Sequence, residues 1–185
     1  MEILRKAYLF LLDTVQTFLI AAALFLVIYV FLFRPFEVLG DSMYPNFHDR
    51  EYVLTNLISL RFASPKLGDV IVFKAPPDPD KDYIKRVIGV PGDTVMVKDG
   101  NVYLNGKILD ESAFLKSSVK TYGGSFLKEG QAVAVPPNEY FVMGDNRNYS
   151  SDSREWGFVR SDEIIGISSF VYWPLNQMKL VKNPY

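Results

Sequence analysis

Ser42 is the first residue in this chain whose type and surroundings could support chemistry. It stands in the segment Gly40-Asp41-Ser42-Met43-Tyr44-Pro45, where glycine and proline indicate a tightly shaped loop. The chain contains no cysteine, which excludes a cysteine nucleophile, a thiolate zinc site and disulfides. The single histidine, His48, could complete a Ser-His-Asp arrangement only from the same loop, whereas known triads combine separate elements. We therefore interpret His48 as a solvated loop residue.

A lysine is the other kind of residue that could activate Ser42. At its reference pKa of about 10.4, a lysine is almost wholly protonated at neutral pH, so it cannot accept a proton. Burial among apolar neighbours lowers that pKa. Lys85 fits this requirement because it lies within the strand-like segment 83–90, with Tyr83 and Val87 on its own face. From spacing alone, an ordinary strand lysine that points to water remains an alternative.

The elements that must position these residues begin with an uncharged run from position 14 to position 33. As a helix this run would be about 30 Å long, enough to cross a bilayer. Arg5 and Lys6 precede it and only Arg34 follows closely, which favours a cytoplasmic N-terminus. A cleaved signal peptide is the alternative, but its apolar core is usually shorter. We predict a retained single-pass anchor in the cell membrane over residues 1–35, in contact with lipid.

The remaining residues, 36–185, predict a mainly β body on the extracytoplasmic side. Eleven prolines, twelve glycines and many aromatic residues support this prediction. Asp99-Gly100 and Asn105-Gly106 predict tight hairpin turns. Residues 105–135 are interpreted as a variable excursion, and 108–130 as its surface part. Strands are predicted at 51–58, 70–74, 83–90, 94–97, 101–104, 131–135, 139–143 and 163–173.

The composition also argues against two classes of partner. The formal net charge is −1 and no basic face stands out in the sequence, which argues against nucleic acid as the main partner. Asp78, Asp80 and Asp82 alternate like calcium ligands, but Tyr83 and Gly89 stand where an EF-hand loop needs glycine and glutamate. We interpret residues 75–82 as a solvated acidic loop. No metal and no cofactor are predicted.

Four segments, in this order behind the anchor, resemble the boxes of bacterial type I signal peptidases. They are Ser42-Met43-Tyr44-Pro45, residues 68–73 (GDVIVF), residues 85–93 (KRVIGVPGD) and residues 144–154 (GDNRNYSSDSR). The resemblance implies a signal-peptidase-like β-barrel or sheet body. It also implies a serine endopeptidase with a Ser-Lys dyad, which removes signal peptides from exported preproteins after small residues in an Ala-x-Ala-like pattern.

The resemblance also implies roles for individual residues. Ser42 would attack the scissile carbonyl, and neutral Lys85 would take its proton as the general base. Ser150 matches a serine that hydrogen-bonds and orients the lysine. Asp152 and Arg154 match a supporting pair, whereas Asp145 and Arg147 are expected to be structural.

Two positions depart from the family pattern. Some members have serine two residues before the nucleophile, where this chain has Gly40, so the oxyanion would depend mainly on the backbone N–H of Ser42. The residue after the proline is often threonine but here is Asn46, and we expect little consequence from this change.

Substrate-binding residues are likewise implied by the resemblance. An extended peptide is expected to pair with strand edges near 36–40 and 82–85. Shallow pockets for small side chains are expected to be lined by Phe36, Val38, Met43, Val72, Asp82, Tyr83 and Ile84. Two alternatives remain open at this point: a related Ser-Lys protease with a specialised substrate, and a membrane-anchored binding domain without catalysis.

Overall fold

A single long helix, α1, leads into the body of the protein. The computed structural model describes residues 1–185, apart from the side chains of residues 30 and 31. Helix α1 begins at Glu2 and ends at Phe31. Its part Glu2–Tyr29 is long and apolar enough to cross a membrane, and none of its most apolar window is buried against the body. The predicted span ran on to Phe33, but the helix ends earlier because Pro35 cannot donate a backbone hydrogen bond and disfavours helix at the residue before it.

Two antiparallel sheets make up the body. Over the described residues the strands are β1 (Phe33–Glu37), β2 (Tyr52–Asn56), β3 (Val70–Ala75), β4 (Asp78–Gly89), β5 (Thr94–Lys98), β6 (Asn101–Leu104), β7 (Lys107–Ile108), β8 (Ala132–Ala134), β9 (Glu139–Met143), β10 (Val159–Arg160), β11 (Ile164–Trp173) and β12 (Lys179–Leu180). The larger sheet has the order β1-β2-β11-β3-β4-β9-β10, with β12 paired to β11, and the smaller has the order β7-β6-β5-β8. The prediction of a mainly β body behind one apolar helix is confirmed. The boundary predicted between residues 35 and 36 falls within β1.

The smaller sheet contains the two turns expected from sequence. Both central residues of each turn have positive φ: 52° at Asp99, 77° at Gly100, 53° at Asn105 and 79° at Gly106. These are the conformations that two-residue hairpin turns require. Both turn predictions are therefore confirmed.

The segment predicted to be a surface excursion is partly internal. Phe114, Leu115 and Leu127 are buried in a core that also contains Ile88 of β4 and Val95 of β5. The prediction of a wholly surface position for 108–130 is therefore wrong. Polar and glycine residues dominate the local sequence, but a few apolar side chains are enough to fix the segment against the sheets.

The prediction of a solvated acidic loop at 75–82 is also wrong for most of this stretch, because β4 already begins at Asp78. Asp82 lies opposite Lys74 of β3, and their side chains form an ion pair of 2.7 Å. Asp78 pairs with Lys81 at 2.7 Å. The proline at position 79 is tolerated because this part of β4 pairs only with β3 and leaves its other edge free.

Candidate active site

Ser42 lies on the loop that connects β1 to β2. Gly40, two residues earlier, has φ = +81°, a conformation that glycine adopts without steric cost. The backbone N–H of Asn146 donates to the carbonyl of Ser42 at 3.0 Å, and the Asn146 side chain donates to the carbonyl of Asp41 at 3.0 Å. These two bonds fix the loop to the segment that follows β9.

Lys85 reaches Ser42 from the middle of β4. Its Nζ lies 2.8 Å from Ser42 Oγ and 2.9 Å from the carbonyl oxygen of Ile84. The lysine is only 4% exposed, so the alternative of a strand lysine that points to water is wrong. The two side chains meet because the middle of β4, which carries Lys85, lies beside the loop between β1 and β2, which carries Ser42.

Burial changes the acid–base behaviour of Lys85. Loss of solvation lowers its pKa from 10.5 to about 8, against the opposing effect of the Asp152 and Asp145 carboxylates. The ring of Tyr83 lies 5.2 Å from the Nζ atom and covers one side of it. A lysine of this kind has an appreciable neutral fraction near pH 8, and its neutral amine can accept a proton from a neighbouring hydroxyl.

Ser150 does not form the hydrogen bond to Lys85 that the resemblance implies. Its Oγ is buried, and it has no hydrogen-bond partner among the described residues. It packs against Gly144, where an added Cβ would overlap both Ser150 Oγ and the carbonyl of Ser42. Gly144 is therefore a site residue that the sequence interpretation missed, although it opens the fourth box. Its lack of a side chain permits this close approach.

The predicted pair of Asp152 and Arg154 is present and buried. Arg154 Nη2 lies 2.8 Å from Asp152 Oδ2, and the backbone N–H of Gly144 donates to the same oxygen at 3.0 Å. Asp152 also caps the short helix α2 (Ser153–Trp156) by accepting from the Arg154 backbone N–H. This carboxylate therefore holds the loop between β9 and α2.

The backbone N–H of Ser42 is available as a hydrogen-bond donor. Within the described part of the chain, no acceptor is recorded for the N–H of Ser42. The N–H of Gly40, in contrast, donates to Asp49 Oδ1 at 2.7 Å. Donation to a developing oxyanion is therefore open to the N–H of Ser42 and not to that of Gly40.

A cleft of about 650 Å³ opens beside the Ser42–Lys85 pair. Its walls include most of the residues implied as substrate-binding, which are Phe36, Val38, Val72, Asp82, Tyr83 and Ile84. Met43 is the exception. It packs in the core with Phe47 and is not among the described residues that line the cleft, so its expected place in the pocket wall is wrong.

The cleft also has walls that the sequence interpretation missed. They are Glu37, Leu39, Val53, Lys81 and Ser151. Glu37, Leu39 and Lys81 are neighbours of predicted residues along β1 and β4, so the local sequence contained a signal for them. Val53 and Ser151 reach the cleft through strand pairing and loop folding, for which no local signal exists.

Two free strand edges lie on either side of this cleft. β1 pairs only with β2, and β4 pairs with β9 only from Arg86 onward. Among the described residues, the edge of β4 that faces away from β3 is therefore free before Arg86, as is the outer edge of β1, and residues 36–39 and 81–85 both line the cleft. An extended peptide could add to such edges through main-chain hydrogen bonds.

His48 does not face Ser42. Its Nδ1 lies 3.1 Å from Glu51 Oε1, and its side chain is 40% exposed. The ring packs edge-on against Tyr44. The interpretation of His48 as a plain solvated residue is therefore only partly right, because it also contacts a buried carboxylate.

Comparison with known proteins agrees with the arrangement of these elements. The family model described as signal peptidase, peptidase S26, matches residues 11–173. Signal peptidase I S of Bacillus subtilis is 42% identical to the chain, over 91% of this chain and 92% of that protein. Signal peptidase I of Bacillus amyloliquefaciens is 38% identical, over 92% of each. Signal peptidase IB of Staphylococcus aureus is 34% identical, over 94% and 95%.

The chain therefore belongs to the signal peptidase family, peptidase S26. The family prediction made from the four boxes is confirmed.

Proposed function

We propose that this chain is a membrane-bound serine endopeptidase that uses Ser42 as nucleophile and Lys85 as general base. Its membership of the signal peptidase family makes it a serine peptidase that removes signal peptides. The observation that carries the assignment of the dyad is the 2.8 Å separation of Lys85 Nζ and Ser42 Oγ in a site where the lysine is buried.

The proposed reaction begins with proton transfer from Ser42 Oγ to the neutral amine of Lys85. Oγ then attacks the scissile carbonyl, and the oxyanion that forms accepts a hydrogen bond from the N–H of Ser42. The ammonium of Lys85 gives its proton to the leaving amine, which leaves an acyl ester on Ser42. A water molecule, deprotonated by Lys85, hydrolyses this ester and restores the free serine.

The proposed substrate is a preprotein whose cleavage segment lies extended between β1 and β4. The cleft is largely apolar, and we assign its walls at Phe36, Val38, Val72 and Ile84 to small side chains on the acyl side of the scissile bond. Each additional methylene costs only about 1–3 kcal/mol in such a pocket. Because a larger side chain is disfavoured only this modestly, the enzyme should prefer an Ala-x-Ala-like pattern but still tolerate other small residues.

We further propose that the catalytic body lies on the extracytoplasmic side of the cell membrane. The charge bias of Arg5 and Lys6, which precede the uncharged run within the helix, supports this orientation. Ser42 follows Phe33 by nine positions in the chain, which span at most about 30 Å. The site would then meet a signal peptide where the peptide leaves the lipid.

The test is to incubate the detergent-solubilised enzyme with a model preprotein and to sequence the new N-terminus. Ser42→Ala and Lys85→Ala should each abolish cleavage while circular dichroism shows an unchanged fold. The matched controls Ser64→Ala and Lys98→Ala change exposed residues and should cleave like the unmodified enzyme. Persistent cleavage by both dyad variants would contradict the assignment.

A further inference from the structure

Three buried arginines, Arg86, Arg147 and Arg154, all contact one stretch of chain, residues 110–122, which we call the bridging segment. The guanidinium of Arg86 lies 4.3 Å from the ring centroid of Phe114. Arg147 binds Glu111 and donates to Thr121 Oγ1 at 2.6 Å. Arg154 donates to the carbonyl of Tyr122 at 3.1 Å. The bridging segment is thus held by all three arginines, although it lies within the stretch that the sequence analysis placed on the surface.

Asn46 connects this segment to the loop that carries Ser42. Its Nδ2 donates to the carbonyl of Phe114 at 2.7 Å and to Asp145 Oδ2 at 2.8 Å. The same carboxylate accepts from Arg86 Nε at 2.8 Å and from Arg86 Nη2 at 2.7 Å. One amide group therefore joins three parts of the protein: the nucleophile loop, the carboxylate that pairs with Arg86, and the bridging segment.

The position of Asn46 within the loop makes this connection relevant to Ser42. The Phe47 N–H donates to the carbonyl of Met43 at 2.9 Å, and the Tyr44 N–H donates to that of Asp41 at 3.1 Å. These two bonds form tight turns that include Ser42 and Asn46. A displacement of the Asn46 side chain is therefore transmitted through a short, hydrogen-bonded piece of backbone to Ser42.

We infer that Asn46 is a positioning residue for the proposed dyad, because it fixes the Ser42 loop to Asp145 and to the bridging segment. This inference rests on the proposed function of Ser42 and Lys85. The earlier expectation that the change from threonine to Asn46 has little consequence is not supported by these contacts. An asparagine amide supplies two donor hydrogens, whereas a threonine hydroxyl supplies one.

Asn46 also affects the charges that face Lys85. The carboxylates of Asp152 and Asp145 raise the pKa of Lys85 against the effect of burial. Arg154 compensates the charge of Asp152, and Arg86 together with the Asn46 amide compensates that of Asp145. Within β4, the side chain that faces Lys85 is the ring of Tyr83. Removal of the Asn46 donor exposes more of the Asp145 charge and thus raises the pKa of Lys85.

The experiment measures kcat and KM from pH 6 to 10 for full-length enzyme in detergent, with a peptide that carries an Ala-x-Ala cleavage site. For Asn46→Ala we expect kcat to fall about 3- to 10-fold with little change in KM, which is the size of effect that the net loss of one ordinary hydrogen bond produces. We also expect the acidic limb of the profile to move to higher pH by about half a unit. Asn46→Thr, which keeps one donor, should lie between Asn46→Ala and the unmodified enzyme.

The matched control is Asn101→Ala, since Asn101 donates only to the carbonyl of Asp99 in an exposed turn, and its profile should be unchanged. An Asn46→Ala profile equal to the unmodified one, or a lower kcat with no movement of the acidic limb, would overturn the inference. If Asn46→Ala does not fold, as judged by thermal melting, Asn46→Thr decides by the same two criteria. Cleavage that survives Ser42→Ala would instead overturn the dyad itself, and so distinguishes failure of the proposed function from failure of this inference.

Discussion

At the scale of single residues, the site depends on an amine that is buried among apolar groups. Among the residues that the structure describes, the hydrogen-bond partners of Lys85 are the Ser42 hydroxyl and the Ile84 carbonyl, and no carboxylate lies at that distance. Asp145 and Asp152 act on it only from further away and are themselves paired with arginines. The loss of solvation therefore prevails and lowers the pKa of Lys85 to about 8.

The first prediction concerns the pH dependence of the rate. If neutral Lys85 is the base, kcat/KM should rise with pH through an apparent pKa near 8, because this parameter reports on ionisation of the free enzyme. The measurement is a rate profile from pH 6 to 10 with a soluble peptide substrate. A profile that is flat over this range would mean that Lys85 does not act as the base.

The second prediction concerns stability. On folding, the pKa of Lys85 falls from 10.5 to about 8. Below pH 8 this lysine is charged in both the folded and the unfolded state, and its burial lowers the free energy of unfolding by the full amount. Above pH 10.5 it is neutral in both states, and this destabilisation disappears. Lys85→Met should thus abolish cleavage yet stabilise the fold at pH 7 by about 1–3 kcal/mol, a value reduced by the loss of its hydrogen bonds.

Thermal melting at pH 7 and pH 10 provides the check for Lys85→Met. The melting temperature of the variant should exceed that of the unmodified protein by several degrees at pH 7, at about 2–4 °C per kcal/mol. The difference should shrink at pH 10. An equal gain at both pH values would attribute the effect to packing rather than to charge.

At the scale of elements, buried ion pairs fix the loops that contribute to the site. Arg86 of β4 and Asp145 of the loop after β9 form a bidentate pair, with side chains 5% and 0% exposed. Asp152 and Arg154 fasten the same loop further along the chain. The strands alone would leave this loop free, so the charges determine where Gly144 and Ser150 lie relative to Ser42.

The third prediction follows from the Arg86–Asp145 pair. Arg86→Met leaves a buried carboxylate without its cation and should destabilise the protein by about 3–5 kcal/mol. The double variant Arg86→Met/Asp145→Leu removes both charges and should recover most of this loss. Urea unfolding followed by circular dichroism measures both effects.

The matched control for this pair is Arg160→Met, which breaks an exposed pair with Asp162 and should change stability very little. If the double variant is as unstable as Arg86→Met alone, the loss would come from packing of the arginine stem, and the interpretation in terms of an uncompensated charge would be wrong.

At the scale of the whole molecule, the helix is joined to the body through Leu32 and β1. At this junction the Leu57 N–H donates to the carbonyl of Leu32, the residue after the helix, at 3.0 Å, and β1 then continues into the larger sheet. The body holds all of the residues that form the cleft and the dyad. The helix therefore contributes location rather than chemistry.

The fourth prediction tests this division of roles. Deletion of residues 1–31 should leave cleavage of a short soluble peptide within about threefold, because the cleft is intact. Processing of a preprotein embedded in lipid vesicles should fall at least about tenfold, because the anchor no longer concentrates the enzyme at the membrane. Equal losses on the two substrates would show instead that the helix supports the active site.

Much of this protein could be predicted from the chain alone, because the relevant signals are local. The apolar run, the alternation of the strands, and the Asp99-Gly100 and Asn105-Gly106 turns each depend on residues that are neighbours in sequence. Ser42 and Lys85 could be named because a chain without cysteine and with one histidine has few ways to activate a hydroxyl. The order of the four boxes indicated the family.

Only the tertiary structure decided the contacts between distant parts of the chain. It buried Met43 in the core, placed Ser150 without a hydrogen bond to Lys85, and brought the bridging segment against Arg86 and Asn46. Such outcomes depend on which surfaces pack together and on where each buried polar group finds a partner. The sequence alone named the residues that carry chemical groups, whereas burial and distance set by packing across the whole chain decided which of those groups can meet.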